Sequence, residues 1–94
     1  MSVYRVTEFV SSDMEKAIGR LESFREEVAG ANAESIDIVS VGDGKGLVVA
    51  KYATEAAMVA ATEINKQVFG QMIAAELIDG SSVNGQSGEV VFSF

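Results

Sequence analysis

The sequence of 94 residues predicts a single α+β domain spanning 1–94, in which a small sheet packs against helices. Four short segments are rich in β-branched and aromatic side chains, which favours strands. Two longer segments repeat apolar residues at steps of three and four, which indicates amphipathic helices. These segments follow one another as strand, helix, strand, strand, helix and strand. Their order predicts a compact sandwich of helices on a sheet.

The first strand is predicted at Val3–Val10, with a helix directly after it. Ser12, followed three residues later by Glu15, fits the capping box that begins many helices. Either Gly30 or Asn32 can supply the left-handed residue that ends this helix. The apolar stripe of the helix comprises Met14, Ala17, Ile18, Leu21, Phe24 and Val28.

The second and third strands are predicted at Ser35–Val41 and Leu47–Ala53 as a hairpin. The five residues between them hold three glycines, which suit a turn with positive φ. No helix follows this glycine-rich stretch, so it does not read as a phosphate-binding loop. Thr54 is the expected cap of a second helix that runs to about Asp79. Gly70, inside that helix, is expected to mark a bend or a close backbone contact.

The last strand is predicted at Glu89–Phe94, after a polar loop at Gly80–Gly88. The strands do not alternate cleanly between apolar and polar residues, since the third carries Val48 on one face and both Leu47 and Val49 on the other. A sheet covered by helices on one face only should be polar on the other. We therefore expect a second copy of the chain to cover the free face in a two-fold homodimer. The alternative is a monomer with an apolar open face.

Composition excludes several classes of function. The formal net charge is −7, and the seven basic residues are scattered, so nucleic acid and anionic membrane surfaces are not expected partners. The chain has no Cys and no His, which removes disulfides and makes structural zinc improbable. Met1–Val10 contains no apolar run typical of a signal sequence, so a cytoplasmic location is the expectation.

The element order, the helix lengths and the terminal segment GEVVFSF resemble the dimeric α+β barrel superfamily over the whole chain. That superfamily has a ferredoxin-like βαββαβ fold, with two helices on one face of a four-stranded antiparallel sheet. It includes antibiotic-biosynthesis monooxygenases, heme-degrading monooxygenases and small proteins of unknown function. The heme-degrading branch uses an axial His and a Trp, and this chain has neither. The cofactor-free branch surrounds its substrate with Asn, Trp, Tyr and Arg, of which only Trp is missing here, so the resemblance implies no cofactor.

Two polar residues are the main candidates for a site. Asn65 lies at the edge of the apolar stripe of the second helix, where a buried amide needs partners. We expect it to orient a ligand carbonyl or to stabilise an enolate-like oxygen, and the alternative is a boundary residue bonded to water or backbone. Arg5 lies on a central strand, where a charge must be paired or must line a cavity. We expect it to recognise an anion, and the alternative is a head group paired with an acidic residue.

Tyr52 and Met72 complete the predicted ligand-binding set of Asn65, Arg5, Tyr52 and Met72. Tyr52 either presents its hydroxyl to a pocket or lies in the core with its hydroxyl at the rim. Met72 either lines an adaptable ligand site or is plain core. No catalytic residue and no metal ligand is assigned.

Three functions remain open at this point. The leading hypothesis is a small homodimer that binds a hydrophobic molecule between sheet and helices. The alternative is a cofactor-independent monooxygenase or isomerase acting on an aromatic or enolisable substrate, where the substrate supplies most of the reactivity. The third is a structural or regulatory assembly domain. A closed cavity between sheet and helices, with Asn65 or a Tyr hydroxyl pointing into it, would favour the enzyme, whereas a space filled by Phe24, Phe69 and Met72 would argue against it.

Overall fold

A computed structural model describes residues 2–94. Four strands form one antiparallel sheet in the order β2-β3-β1-β4. The strands are β1 (Val3–Val10), β2 (Ser35–Gly42), β3 (Lys45–Tyr52) and β4 (Asn84–Glu89). The helices are α1 (Met14–Glu22), α2 (Arg25–Ala29), α3 (Glu55–Ala60) and α4 (Thr62–Ala74), and a 3₁₀ turn spans Gly80–Ser82. The ferredoxin-like α+β fold predicted from the sequence is therefore confirmed.

The register of the sheet decides which side chains meet the helices. Arg5 pairs with Ala50 on β3 and with Ser87 on β4, so all three point to the same side of the sheet. We call that side the inner face, because Phe9 and Tyr52, which also point there, are buried against the helices. The opposite side is the outer face; its central residues are Tyr4, Val6, Val39, Leu47 and Val49.

Both predicted helices are broken into two segments. Asp13, rather than Ser12, caps α1, because its carboxylate accepts the backbone N–H of Lys16 at 3.0 Å. The chain then turns at Ser23 before α2 begins. Asn32, with φ of 55°, supplies the left-handed residue expected after this helical region.

The second helical region begins as predicted and breaks elsewhere than predicted. The Thr54 hydroxyl accepts the backbone N–H of Ala57, which confirms the expected cap. The break between α3 and α4 falls at Ala61, while α4 continues through Gly70 without interruption. No atom of residues 2–94 outside the glycine's immediate helical surroundings lies within 4 Å of the position a Gly70 Cβ would take, so the prediction of a close backbone contact there was wrong. Glu76, with φ of 60°, lies just beyond the end of α4.

The predicted position of the fourth strand was also wrong. The segment that pairs with β1 is the polar Asn84–Glu89, and the apolar Val90–Phe94 continues beyond the sheet as a tail. The tail donates one backbone hydrogen bond, from Val90 N–H to the Ser2 carbonyl at 2.9 Å. The inward-pointing residues of β4 include Gly85 and Ser87, both exposed, so this edge strand needs no apolar pattern.

The core between sheet and helices consists of two separate clusters of buried residues. One contains Phe9, Ala17, Phe24, Val68, Met72, Leu77 and Ile78. The other contains Val3, Ala31, Ala50, Tyr52, Met58 and Ala61. In a domain of this size one continuous core is usual, so the division points to space between the clusters. Within residues 2–94, no helix is long and apolar enough to cross a bilayer.

Candidate functional site

A cavity of about 720 Å³ lies between the inner face of the sheet and the helices. Pockets for small molecules usually measure about 300–1,000 Å³. Its walls come from all four strands, from α1 and α2 on one side, and from α4 on the other. Most of the wall residues are apolar, among them Phe9, Leu21, Val28, Ile36, Ile38, Val48, Val68, Phe69 and Met72. One side of the cavity is open to solvent, and the rest is bounded by the sheet and the helices.

Small side chains keep this space open. Ala50 on β3, Ala29 on α2 and Ala33 just before β2 lie in its wall, and Gly85 on β4 borders it. Protein interiors are normally packed as densely as organic crystals. A wall of alanines where larger residues would fit leaves a void that the two buried clusters do not fill.

Arg5 projects from the central strand β1 into this cavity. Its Nη2 donates a hydrogen bond to the Thr62 hydroxyl at 3.0 Å, and that hydroxyl donates to the Met58 carbonyl at 3.4 Å. A guanidinium has five N–H donors. Within residues 2–94 it forms no ion pair with a carboxylate and no second hydrogen bond. The expected alternative, an Arg5 head group paired with an acidic residue, was therefore wrong.

Asn65 lies one helical turn from Thr62, in the same wall. Its Nδ2 donates to the Tyr52 hydroxyl at 3.2 Å. Tyr52 is fully buried and lies behind the wall, so the phenol anchors the amide from outside the cavity. The amide keeps a second N–H and its Oδ1 free of hydrogen bonds to any described residue. Asn65 is thus held from behind while part of its hydrogen-bonding capacity remains unused.

Met72 lies on α4 in the apolar part of the wall and is fully buried. Beside it Phe9 and Phe69 meet edge to face, with ring centroids 6.5 Å apart. Phe24 belongs to the same buried cluster as Phe9 and Met72 but is not part of the wall. These side chains form a surface of the cavity and leave its volume empty, which is the arrangement that favours a binding function over a filled core.

An ion pair lies at the exposed side of the cavity, between the end of α1 and the start of α2. Arg25 Nη2 and Glu22 Oε2 are 2.6 Å apart, and Arg25 Nε also donates to Glu22 Oε1 at 2.8 Å. This hydrogen bonding, followed by the positive charge of Arg25, lowers the pKa of Glu22. The same contacts raise the pKa of Arg25. Both side chains are mostly exposed, so the pair contributes little to stability.

The structure thus places Arg5 and Asn65 around the same cavity, since Arg5 contacts Thr62 one helical turn from Asn65. Tyr52 supports Asn65, and Met72 lies in the apolar part of the wall. Sequence reasoning missed Thr62 and Lys66, which flank Asn65 on α4 and also line the cavity. Thr62 lies three residues before Asn65, and Lys66 lies one residue after it. These positions indicate wall residues only once the face of α4 that meets the cavity is known.

A second groove, of about 810 Å³, lies on the other side of the sheet. It separates the tail Val90–Phe94 from the outer face near Tyr4 and Val6. The rings of Phe92 and Phe94 meet edge to face at 4.9 Å, and both are largely exposed to solvent. The outer face and the tail together leave a broad apolar surface without a covering element among residues 2–94.

Comparison with known proteins finds similar solved structures but no similar sequence. No family description matches the chain, and no curated protein sequence matches it. A dimeric ferredoxin-like protein from an uncultured marine organism is 15% identical over 100% of this chain and 98% of its own, with a TM-score of 0.70. SnoaB, a cofactor-independent oxygenase from Streptomyces nogalater, is 9% identical over 98% of this chain and 95% of its own, with a TM-score of 0.74. A putative antibiotic biosynthesis monooxygenase from Nitrosomonas europaea is 14% identical over 96% of this chain and 91% of its own, with a TM-score of 0.64.

Proposed function

We propose that the protein binds a small, mainly apolar molecule in the cavity between sheet and helices. The observation that carries this proposal is an apolar cavity of about 720 Å³ with a few polar groups where β1 faces the first turns of α4. This combination is the usual form of a small-molecule site, in which apolar walls supply burial and a few polar groups fix orientation. Arg5 and Asn65 are the groups that would orient the ligand, and Met72 would contact its apolar body.

The proposal is tested by looking for a retained ligand. Native mass spectrometry of the purified protein should show a protein mass above that of the bare chain, and denaturing the sample should release a small molecule. A protein that carries no ligand should bind an apolar aromatic probe such as 2-naphthamide. A bare mass, together with no probe binding at millimolar concentration, would rule out this function.

Matched variants on α4 locate the binding. Asn65→Ala removes the wall amide, and we expect it to weaken binding about tenfold, as loss of one well-placed hydrogen bond does. Gln67→Ala is the control, because Gln67 is exposed on the same helix and is not part of the cavity wall. Tyr52→Phe should give a smaller loss than Asn65→Ala, since it removes only the hydroxyl that holds the amide. Equal effects of Asn65→Ala and Gln67→Ala would contradict the assignment.

A second candidate function is a cofactor-independent oxygenase or isomerase acting in the same cavity. It is supported by the partly unused donors of Arg5 and Asn65, which face an apolar space where an enolate-like oxygen would be stabilised. The structural likeness to a cofactor-independent oxygenase is consistent with it. Oxygen consumption with an enolisable aromatic substrate is the test, and Asn65→Ala should lower kcat more than it raises KM. Ligand binding without turnover would contradict the enzymatic function and support the binding function.

We also propose that the protein is a homodimer joined through the outer face. Val39 is exposed there, and Val91, Phe92 and Phe94 of the tail are exposed beside it. Exposed apolar surface of this extent usually marks an interface. One of the structural neighbours is described as dimeric. A second copy would cover both the apolar outer face and the tail.

The dimer is tested with one pair of valine variants. Val39→Lys places a charge in the proposed interface, once in each copy, and should weaken dimerisation about a hundredfold, from roughly 1.5 kcal/mol per lost valine contact. Val59→Lys is the control, because Val59 is exposed on α3, on the helical side of the molecule. Sedimentation equilibrium should show a weakened dimer for the first variant alone. A wild-type monomer at micromolar concentration would contradict the proposal.

A further inference from the structure

The charges in the cavity wall oppose the charge of the chain as a whole. The sequence has fourteen acidic and seven basic residues, a ratio of two to one. Within residues 2–94, the wall contains three basic residues and one acidic residue, which are Arg5, Arg25, Lys66 and Glu22. An acidic protein has therefore gathered almost half of its cations around one apolar space.

The acidic residue in the wall is already neutralised. Glu22 is bound by Arg25 through two hydrogen bonds of 2.8 and 2.6 Å. The other charged residues of the wall are Arg5 and Lys66. Neither forms an ion pair with a carboxylate within the described part of the chain. The wall thus carries two uncompensated positive charges.

The two cations occupy different depths. Arg5 is partly buried on the central strand, where its partners in register are the small residues Ala50 and Ser87. Lys66 is exposed on α4, near the surface. A partly buried guanidinium with most of its donors unused is a costly arrangement unless an anion completes it. Lys66 at the surface would attract an anion toward the cavity.

From this distribution we infer that the ligand is an organic anion, with an apolar body and one anionic oxygen. The anionic oxygen, a carboxylate or an ionised phenol or enol, binds to Arg5 with Asn65 beside it. The apolar body lies along Phe9, Phe69 and Met72. This inference rests on the proposed binding function and adds the charge class and the orientation of the ligand.

Three naphthalene probes of equal size and different charge test the inference. They are 2-naphthoate, the neutral 2-naphthamide and the cationic 2-naphthylmethylammonium, with binding followed by NMR and by calorimetry. We expect 2-naphthoate to bind at least about tenfold tighter than 2-naphthamide, as a charge-assisted hydrogen bond predicts, and the cation to bind weakest. Equal affinity of the acid and the amide would overturn the anion inference and leave the binding function standing. Failure of all three probes to bind, with no retained ligand, would overturn the binding function itself.

Substitutions then locate the preference for the anion. Arg5→Met should lower the acid-to-amide affinity ratio to about one while changing amide binding little. Lys16→Met is the charge-matched control, because Lys16 is exposed on α1 and is not part of the wall. Arg5→Lys keeps the charge and should retain part of the ratio. If Arg5→Met leaves the acid preference intact, Arg5 is not the anion-binding group, and the probe series on the wild-type protein still decides the charge class.

Discussion

Ala50→Leu is expected to fill the cavity, to stabilise the fold and to abolish binding. Ala50 is 4% exposed and its methyl group borders the cavity, so leucine adds three carbons to an existing void. Each buried carbon contributes about 0.8 kcal/mol, an upper limit of about 2.4 kcal/mol. One side of the cavity is open to solvent, so we expect a gain of about 1–2 kcal/mol. For a domain of this size that gain raises Tm by roughly 5–10 °C.

The control is Ala17→Leu. Ala17 is fully buried on α1 and does not border the cavity, so the added carbons have no void to enter. Overpacking of this kind costs about 1–3 kcal/mol and should lower Tm. Thermal unfolding at a fixed protein concentration gives the Tm of both variants. Titration with 2-naphthamide shows whether Ala50→Leu abolishes binding. If Ala50→Leu destabilises the protein as much as Ala17→Leu does, there is no usable cavity and the proposed function loses its basis.

Three further predictions concern the fold and the mouth of the cavity. Gly46→Ala should cost about 1–3 kcal/mol in denaturant unfolding, because a Cβ there would lie 2.7 Å from a ring carbon of Phe9; a neutral effect would contradict the register of β1 and β3. Asp13→Ala removes the cap of α1 and should cost about 1 kcal/mol in the same assay, whereas no change would leave the cap without a role. Glu22 should titrate below the ordinary value of 4.5, because Arg25 stabilises its ionised form; the contribution of the pair is then present above that pH and is lost as the pH falls through the lowered pKa. Carboxyl NMR should show Arg25→Gln returning this titration to the ordinary range, and an unchanged titration would refute the cause.

The fold was predictable because local signals agreed with the tertiary structure along most of the chain. The strand at Val3–Val10, the hairpin and the cap at Thr54 were all confirmed. Asn84–Glu89 could not be found in this way, because an edge strand with exposed inward side chains needs no apolar pattern. The apolar pattern of Val90–Phe94 predicts a strand. This segment lies outside the sheet because β1 pairs with Asn84–Glu89 instead.

The candidate site was predictable in its polar residues and not in its geometry. Arg5 and Asn65 stood out because polar groups are rare on apolar strands and stripes. Thr62 did not, since a threonine in the first turn of a helix is ordinary and gains importance only when β1 places Arg5 against it. The cavity itself arises from alanines on three separate elements, among them Ala50, and no local pattern reports their convergence.

The chain's methionines allow the most direct test of the proposed site. Met72 lies in the cavity wall, while Met58 lies in the second core cluster and Met14 on α1, outside the wall. With ¹³C-labelled methionine methyl groups, titration with 2-naphthoate should shift the Met72 signal saturably and leave the Met58 and Met14 signals nearly unchanged. A Met72 signal that stays fixed while the probe binds would place the ligand elsewhere and contradict the site proposed between sheet and helices.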